Sequence, residues 1–241
     1  MMTFGSLFAG IGGLDLGLER AGMTCAWQVE IDEWCRQVLA KHWPDVRRYE
    51  DVRDCGAENL EPVDLICGGF PCQPHSVAGK HRGINDDRNL WPEMCRVIDE
   101  LKPTWVLAEN VPGIRTTILD QVLTDLEAMG YEVGILGIPA VAFDAPHRRQ
   151  RVWIVAYTAR DEWKESKAGD GREVPTRRSA EGRQSFIWKS EPAVGRVANG
   201  IPRQVDRLRG LGNAVVPQVA EWIGRHIVEV QNEQTGDTDQ N

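Results

Sequence analysis

No Cys-x-x-Cys pair occurs in the chain, although it holds six cysteines, at positions 25, 35, 55, 67, 72 and 95. With no early signal-like run either, this spacing argues against a disulfide framework or a cysteine-rich zinc site. It favours reduced thiols in a cytosol. The histidines, His42, His75, His81, His147 and His226, show no metal-ligand spacing, so no metal is expected. No apolar stretch approaches the roughly 18 residues of a membrane span. Internal repeats are lacking too. What remains is an ordinary globular composition, 41% hydrophobic and 27% charged, and a length of 241 residues. That length suits one α/β core with a small appendage.

A net charge of −8 at first argues against a nucleic-acid partner, but its distribution reverses the impression. Residues 158–209 carry 12 Lys and Arg against 8 Asp and Glu, whereas residues 1–157 carry 15 against 23. A basic insert in an acidic chain fits an electrostatic footprint for a phosphate backbone. A solvated loop would give the same charge.

The chain alternates strand and helix. Thr3 to Phe8 reads as a strand running into Ala9-Gly10-Ile11-Gly12-Gly13, then a helix with Leu14, Leu16, Leu18 and Ala21 that stops at Gly22. Thr24 to Val29 is a second strand, residues 32–41 a second helix, and Val63 to Cys67 a third strand. This β-α-β-α-β order predicts a doubly wound, mostly parallel sheet. Residues 73–89 have little periodicity and read as a long loop over a site. A helix from Pro92, a strand from Thr104 to Leu107, an amphipathic helix over Ile114–Met129 and strands near 131–138 and 151–157 follow. Periodicity fades from Thr158 to about Gln204. It returns in a final helix with Val215, Val219, Ile223 and Ile227 on its stripe, before a polar tail from Gln231 that reads as disordered. The expected divisions are a catalytic and cofactor-binding domain at 1–157, a small target-recognition region at 158–205, a returning C-terminal segment at 206–230 and the tail at 231–241.

One stretch carries the chemistry. After the apolar run Val63-Asp64-Leu65-Ile66-Cys67 comes Gly68-Gly69-Phe70-Pro71-Cys72-Gln73. A buried strand ending in glycines and a proline holds the Cys72 thiol on a strand-end loop, where α/β proteins bind ligands, so Cys72 is a candidate nucleophile. The loop Phe8–Gly13 lacks the dinucleotide spacing, since its last position would be Asp15, yet its glycines allow close backbone approach to a ligand. Glu30, ending the second strand, is placed to bond ribose hydroxyls or to cap a helix. Asp51 reads as an adenine contact or a solvated turn.

Phe8–Gly13, Glu30, Asp51-Val52, Pro71-Cys72-Gln73 with Ser76, Glu109-Asn110-Val111, Arg149-Gln150-Arg151 and Gly212-Asn213-Ala214-Val215-Val216-Pro217 fall in one order. In that order they resemble the DNA (cytosine-5)-methyltransferase family over nearly everything but 158–205. The resemblance implies a Rossmann-like, S-adenosyl-L-methionine-dependent fold, an α/β sheet with a small basic target-recognition insert. It implies methyl transfer to C5 of a flipped-out cytosine through a covalent Cys72–C6 adduct, with Glu109 donating a proton to N3 and Arg151 and Arg149 holding the ring. S-adenosyl-L-methionine, leaving as S-adenosyl-L-homocysteine, would lie along Phe8, Ala9, Gly10, Gly12, Gly13 and Leu14. Glu30 and Ile31, Asp51 and Val52, Pro71, Leu90, Asn213 and Ala214 would complete its site. Gln73, Ser76 and Asn110 would meet the substrate, Asn110 and Val111 also looking structural.

The implied partner is double-stranded DNA, with a cognate restriction endonuclease as a second. The setting is cytoplasmic, in a bacterium or phage, with the enzyme a monomer. Alternatives are a tRNA cytosine-5 methyltransferase of the same family and a catalytically silent DNA-binding homologue. Two departures stand out: His147 replaces the family's Gln, and the insert is short, which predicts a short target sequence or relaxed specificity.

Overall fold

The computed structural model of the chain describes residues 1–71, 89–145, 149–158 and 214–236. Seven strands form one sheet: β1 (Thr3–Leu7), β2 (Thr24–Val29), β3 (Arg47–Tyr49), β4 (Leu65–Gly68), β5 (Trp105–Asn110), β6 (Glu132–Pro139) and β7 (Gln150–Tyr157). Their spatial order is β3-β2-β1-β4-β5-β7-β6. The first five run parallel, while β7 is antiparallel to both its neighbours. The expected mostly parallel, doubly wound sheet is present. Its order reverses between β1 and β4, and the carboxyl ends of strands at such a switch open a ligand crevice.

Side chains alternate across the central strands. Ile66, Val106 and Ala108 face one core with Trp91, Met94, Ile98, Val122 and Leu126, from α3 (Trp91–Leu101) and α4 (Leu119–Ala128). Leu65, Cys67 and Leu107 face the other core, with Leu14 and Leu18 of α1 (Gly13–Arg20) and Val219, Ile223 and Ile227 of the C-terminal helix α5 (Pro217–Thr235). Strands buried on both faces need such continuous apolar runs. Each large side chain removed from water this way contributes about 1.5–3 kcal/mol. Between β2 and β3 lies α2 (Glu33–His42), whose N-cap Asp32 accepts the Cys35 amide at 3.0 Å. α1 and α5 approach closely at Gly17, where an added Cβ would lie 2.5 Å from the Ala220 Cβ.

Three elements differ from the sequence reading. β3 has no apolar run to announce it. Pairing with β2 makes it a strand, helped by the Arg47 guanidinium 4.9 Å over the Tyr49 ring. The helix expected over Ile114–Met129 is two pieces, a 3₁₀ turn at Pro112–Thr116 and α4. Between them the Thr116 and Thr117 hydroxyls bond the Gly113 carbonyl, competing with helical bonding. α5 continues to Thr235, past the boundary at 230. There the Trp105 indole N–H donates to Gln231 Oε1 at 2.8 Å, anchoring the last turns to the sheet.

Among the described residues no group of three metal-ligating side chains occurs, and no helix is long and apolar enough to cross a membrane.

Candidate active site

A crevice of about 650 Å³ opens at the carboxyl ends of β1, β2, β4 and β5. Its floor is the glycine loop. Phe8 and Gly10 both have positive φ, 54° and 57°, turning the chain sharply off β1 into α1. The loop is tied to β2 by the Ala9 amide on the Val29 carbonyl (3.1 Å) and by Glu30. Glu30 accepts the Gly10 amide at 2.7 Å through Oε2 and the Asp32 amide at 2.8 Å through Oε1. Burial pushes its carboxyl up, against the pull of those two bonds. A carboxylate has about four acceptor sites, so Glu30 retains capacity for ligand hydroxyls. Ile31 stands exposed at the rim.

Gly12 and Gly13 serve the loop differently. Gly12, with φ 84°, packs beneath Trp43, where an added Cβ would sit 2.4 Å from the ring. At Gly13, which lines the crevice, a Cβ would lie 2.6 Å from the Val215 carbonyl oxygen, backbone against backbone. Gly13→Ala is therefore expected to cost about 1–3 kcal/mol of stability, which thermal unfolding measures.

On the next wall, Asp51 caps a 3₁₀ turn through the Arg53 amide (3.0 Å) and pairs with the Arg53 guanidinium at 3.1 Å, and Val52 is buried behind it. The Leu90 amide donates to the Pro71 carbonyl at 3.2 Å, and both residues line the crevice. Cys72, Gln73, Ser76, His147 and Asn213 lie outside the described residues, as does the recognition region.

The candidate acid, Glu109, sits at the end of β5. Glu109 is directly opposite Trp153 in the β5–β7 register, and Arg151 projects on the same face two residues before. Because β7 runs antiparallel, its amino end meets the carboxyl end of β5, bringing together residues 42 positions apart. Arg151 Nε lies 2.7 Å from Glu109 Oε1, a close charge contact without the alignment of a hydrogen bond. Glu109 is buried, and burial raises its pKa against the opposing pull of Arg151 and then Arg149. A raised carboxyl is what a proton donor at neutral pH needs. Arg149 has φ 27° and donates to the Ala214 carbonyl at 2.5 Å, which ties the C-terminal segment to β7. The Asn110 amide donates to the Phe70 carbonyl (2.9 Å), and its Oδ1 accepts the Val111 amide (2.9 Å). Its polar atoms brace the β4 loop that leads to Cys72.

The structure thus brings Phe8, Ala9, Gly10, Gly13, Leu14, Glu30, Ile31, Asp51, Val52, Pro71, Leu90, Glu109, Asn110, Arg151 and Ala214 around one crevice, with Gly12 and Arg149 just behind it. Sequence reasoning missed Asp15. Fully buried under the glycine loop, it accepts from Gln28 (2.8 Å) and Ser6 (3.1 Å), and burial pushes its pKa up to about 6. Its only signal was a carboxylate amid the leucines of α1.

A mostly parallel sheet, a glycine loop after β1 and a carboxylate after β2 define the Rossmann-like architecture of S-adenosyl-L-methionine-dependent methyltransferases. The family model for C-5 cytosine-specific DNA methylase matches residues 2–195, and the chain belongs to that family. It is 37% identical over 157 residues to the Type II methyltransferase M.FnuDI of Fusobacterium nucleatum, covering 63% of this chain and 46% of that protein. To the Type II methyltransferase M.HgiCII of Herpetosiphon aurantiacus it is 35% identical over 158 residues, 63% and 36% of the two. A solved structure described as a DNA modification methyltransferase encoded within an E. coli prophage is 31% identical. It superposes with a TM-score of 0.56 over 66% of this chain and 47% of that one. The chain thus spans less than half the length of these relatives.

Proposed function

We infer that the protein methylates C5 of cytosine in double-stranded DNA, using S-adenosyl-L-methionine. The observation carrying this reading is the pairing of buried Glu109 with half-buried Arg151 on the wall of a crevice that also holds Pro71, one peptide bond from Cys72. The crevice lies within the ~300–1,000 Å³ of small-molecule sites. Its glycine floor, the Glu30 carboxylate, the Asp51 turn and the apolar Phe8, Val52 and Leu90 side chains suit an adenosyl group.

Cytosine C5 is a weak nucleophile, so the ring must be activated first. The Cys72 thiolate adds to C6, forming an S–C6 bond and pushing the ring's electrons toward N3 and O2. Glu109 gives its proton to N3 as that charge builds, and Arg151 holds O2. The activated C5 then acts as a nucleophile. S-adenosyl-L-methionine supplies the electrophilic methyl group. Loss of the C5 proton to solvent re-forms the C5–C6 double bond and expels the Cys72 thiolate, while N3 returns its proton to Glu109. Both ring faces must be reached, so the cytosine leaves the duplex.

The test is methyl transfer from radiolabelled S-adenosyl-L-methionine to duplex DNA and, separately, to tRNA. Label is expected in duplex DNA as 5-methylcytosine. Label in tRNA alone would favour the RNA-directed alternative, and none in either would favour a silent homologue.

A further inference from the structure

Beside Glu109 lies a second, small cavity of about 10 Å³, lined by Glu109, Trp153, Arg149, Arg151, Ile138 and Val219 among others and sharing Glu109 and Arg151 with the crevice. That is at the lower limit of the roughly 10–15 Å³ a single water needs. Three residues that line it carry a buried polar atom without a hydrogen bond among the described residues: Trp153 at Nε1, Glu109 at Oε1 and Arg149 at Nε, the Arg149 guanidinium itself being bonded to the Ala214 carbonyl. Trp153 is 1% exposed, and its indole Nε1 has no hydrogen-bond partner. Glu109 Oε1 has the nearby Arg151 charge but no aligned donor. A buried indole N–H without a partner is costly, so such groups are normally satisfied by protein or by ordered water. Because Trp153 and Glu109 face each other across β5 and β7, one bridging molecule can reach both.

We propose that Trp153 is a positioning residue for Glu109, its indole N–H holding a single buried water that donates to Glu109 Oε1. The two carboxyl oxygens then have separate tasks. Oε1 accepts from the water and rests against Arg151. Oε2 is the oxygen near crevice-lining Gly69, whose added Cβ would lie 3.3 Å away, and it is left to carry the proton toward the substrate. A donor fixed on Oε1 prevents the carboxyl from turning its proton inward, and it partly offsets the burial that disfavours the ionised form.

This rests on Glu109 being the acid of the reaction, and the experiment separates the two ideas. Trp153→Phe keeps an aromatic side chain but removes the N–H together with the five-membered ring of the indole. The Glu109 carboxyl carbon is titrated by NMR in full-length wild type and W153F, without any substrate. The midpoint is expected to rise by about half a unit or more in the variant, as the carboxylate loses its donor. The turnover number of W153F is expected to fall severalfold with KM for DNA and for S-adenosyl-L-methionine unchanged. An unaltered midpoint overturns the proposal. Should W153F fail to fold, a high-resolution crystal structure of the wild type decides. Density for a water about 2.7–3.2 Å from both Trp153 Nε1 and Glu109 Oε1 supports the assignment, and its absence refutes it. If Glu109→Gln retained full activity, the acid role would fall while the water site could still stand.

Discussion

Cys72→Ala is expected to reduce methyl transfer to background while leaving S-adenosyl-L-methionine binding within a few-fold of wild type. In the proposed mechanism the reaction has no route around this residue. Without addition at C6, the C5 carbon stays too electron-poor to attack a methyl group, so removing the thiol removes the step rather than slowing it. Cofactor affinity should persist because the proposed adenosyl site is built by other segments: the glycine loop, Glu30, and the Asp51 turn. Binding is checked by calorimetric titration, and turnover with labelled cofactor on duplex DNA. Retained methyl transfer in the variant would place the nucleophile elsewhere. Cys25 and Cys67 are poor substitutes, since burial pushes both thiols far above their ordinary range.

Glu109→Gln ranks next. Glutamine preserves the shape beside Arg151 but has no proton to give, so a loss of about 10²–10⁴-fold in turnover is expected with binding largely intact. The pH profile is the sharper readout. Burial raises the Glu109 pKa, so the proton-bearing form persists above the ordinary carboxylate range. The acid-dependent step is fastest below that raised value and is lost as pH rises through it. The Cys72 thiolate requires the opposite, so the wild-type profile is expected to be bell-shaped, with Glu109 setting the alkaline limb. The variant loses that limb. Stability follows the same sign. Glu109's contribution is fully present below its unfolded-state pKa and is lost as pH rises through the raised folded value, and glutamine abolishes that dependence.

Much of this frame could be read directly. The strands buried on both faces wrote themselves as apolar runs, and the glycines after β1 and β4 marked where the chain turns at the crevice. Other features depended on what lies across the sheet. β3, with Arg47 and Arg48 in a three-residue strand, exists through its pairing with β2. The break at Thr117 comes from hydroxyls competing for backbone carbonyls. Glu109 and Arg151 were named from family resemblance, but their contact is set by the antiparallel register of β7, which no local pattern specifies. Asp15 and Trp153 were invisible for the same reason: their importance lies in polar atoms buried together, whereas in the sequence they sit in apolar stretches. Asn110 carried two readings, and its amide is engaged with the Phe70 and Val111 backbone.

The most direct test of the central claim is covalent trapping. On duplex DNA carrying 5-fluorocytosine, the fluorine at C5 cannot leave as a proton does. The Cys72–C6 bond formed during methyl transfer therefore cannot be released. Incubated with this DNA and S-adenosyl-L-methionine, the wild type is expected to form a denaturation-resistant protein–DNA adduct whose linked peptide contains Cys72, and Cys72→Ala is expected to form none. An adduct of equal yield in both proteins, or one joined through another residue, would contradict the account.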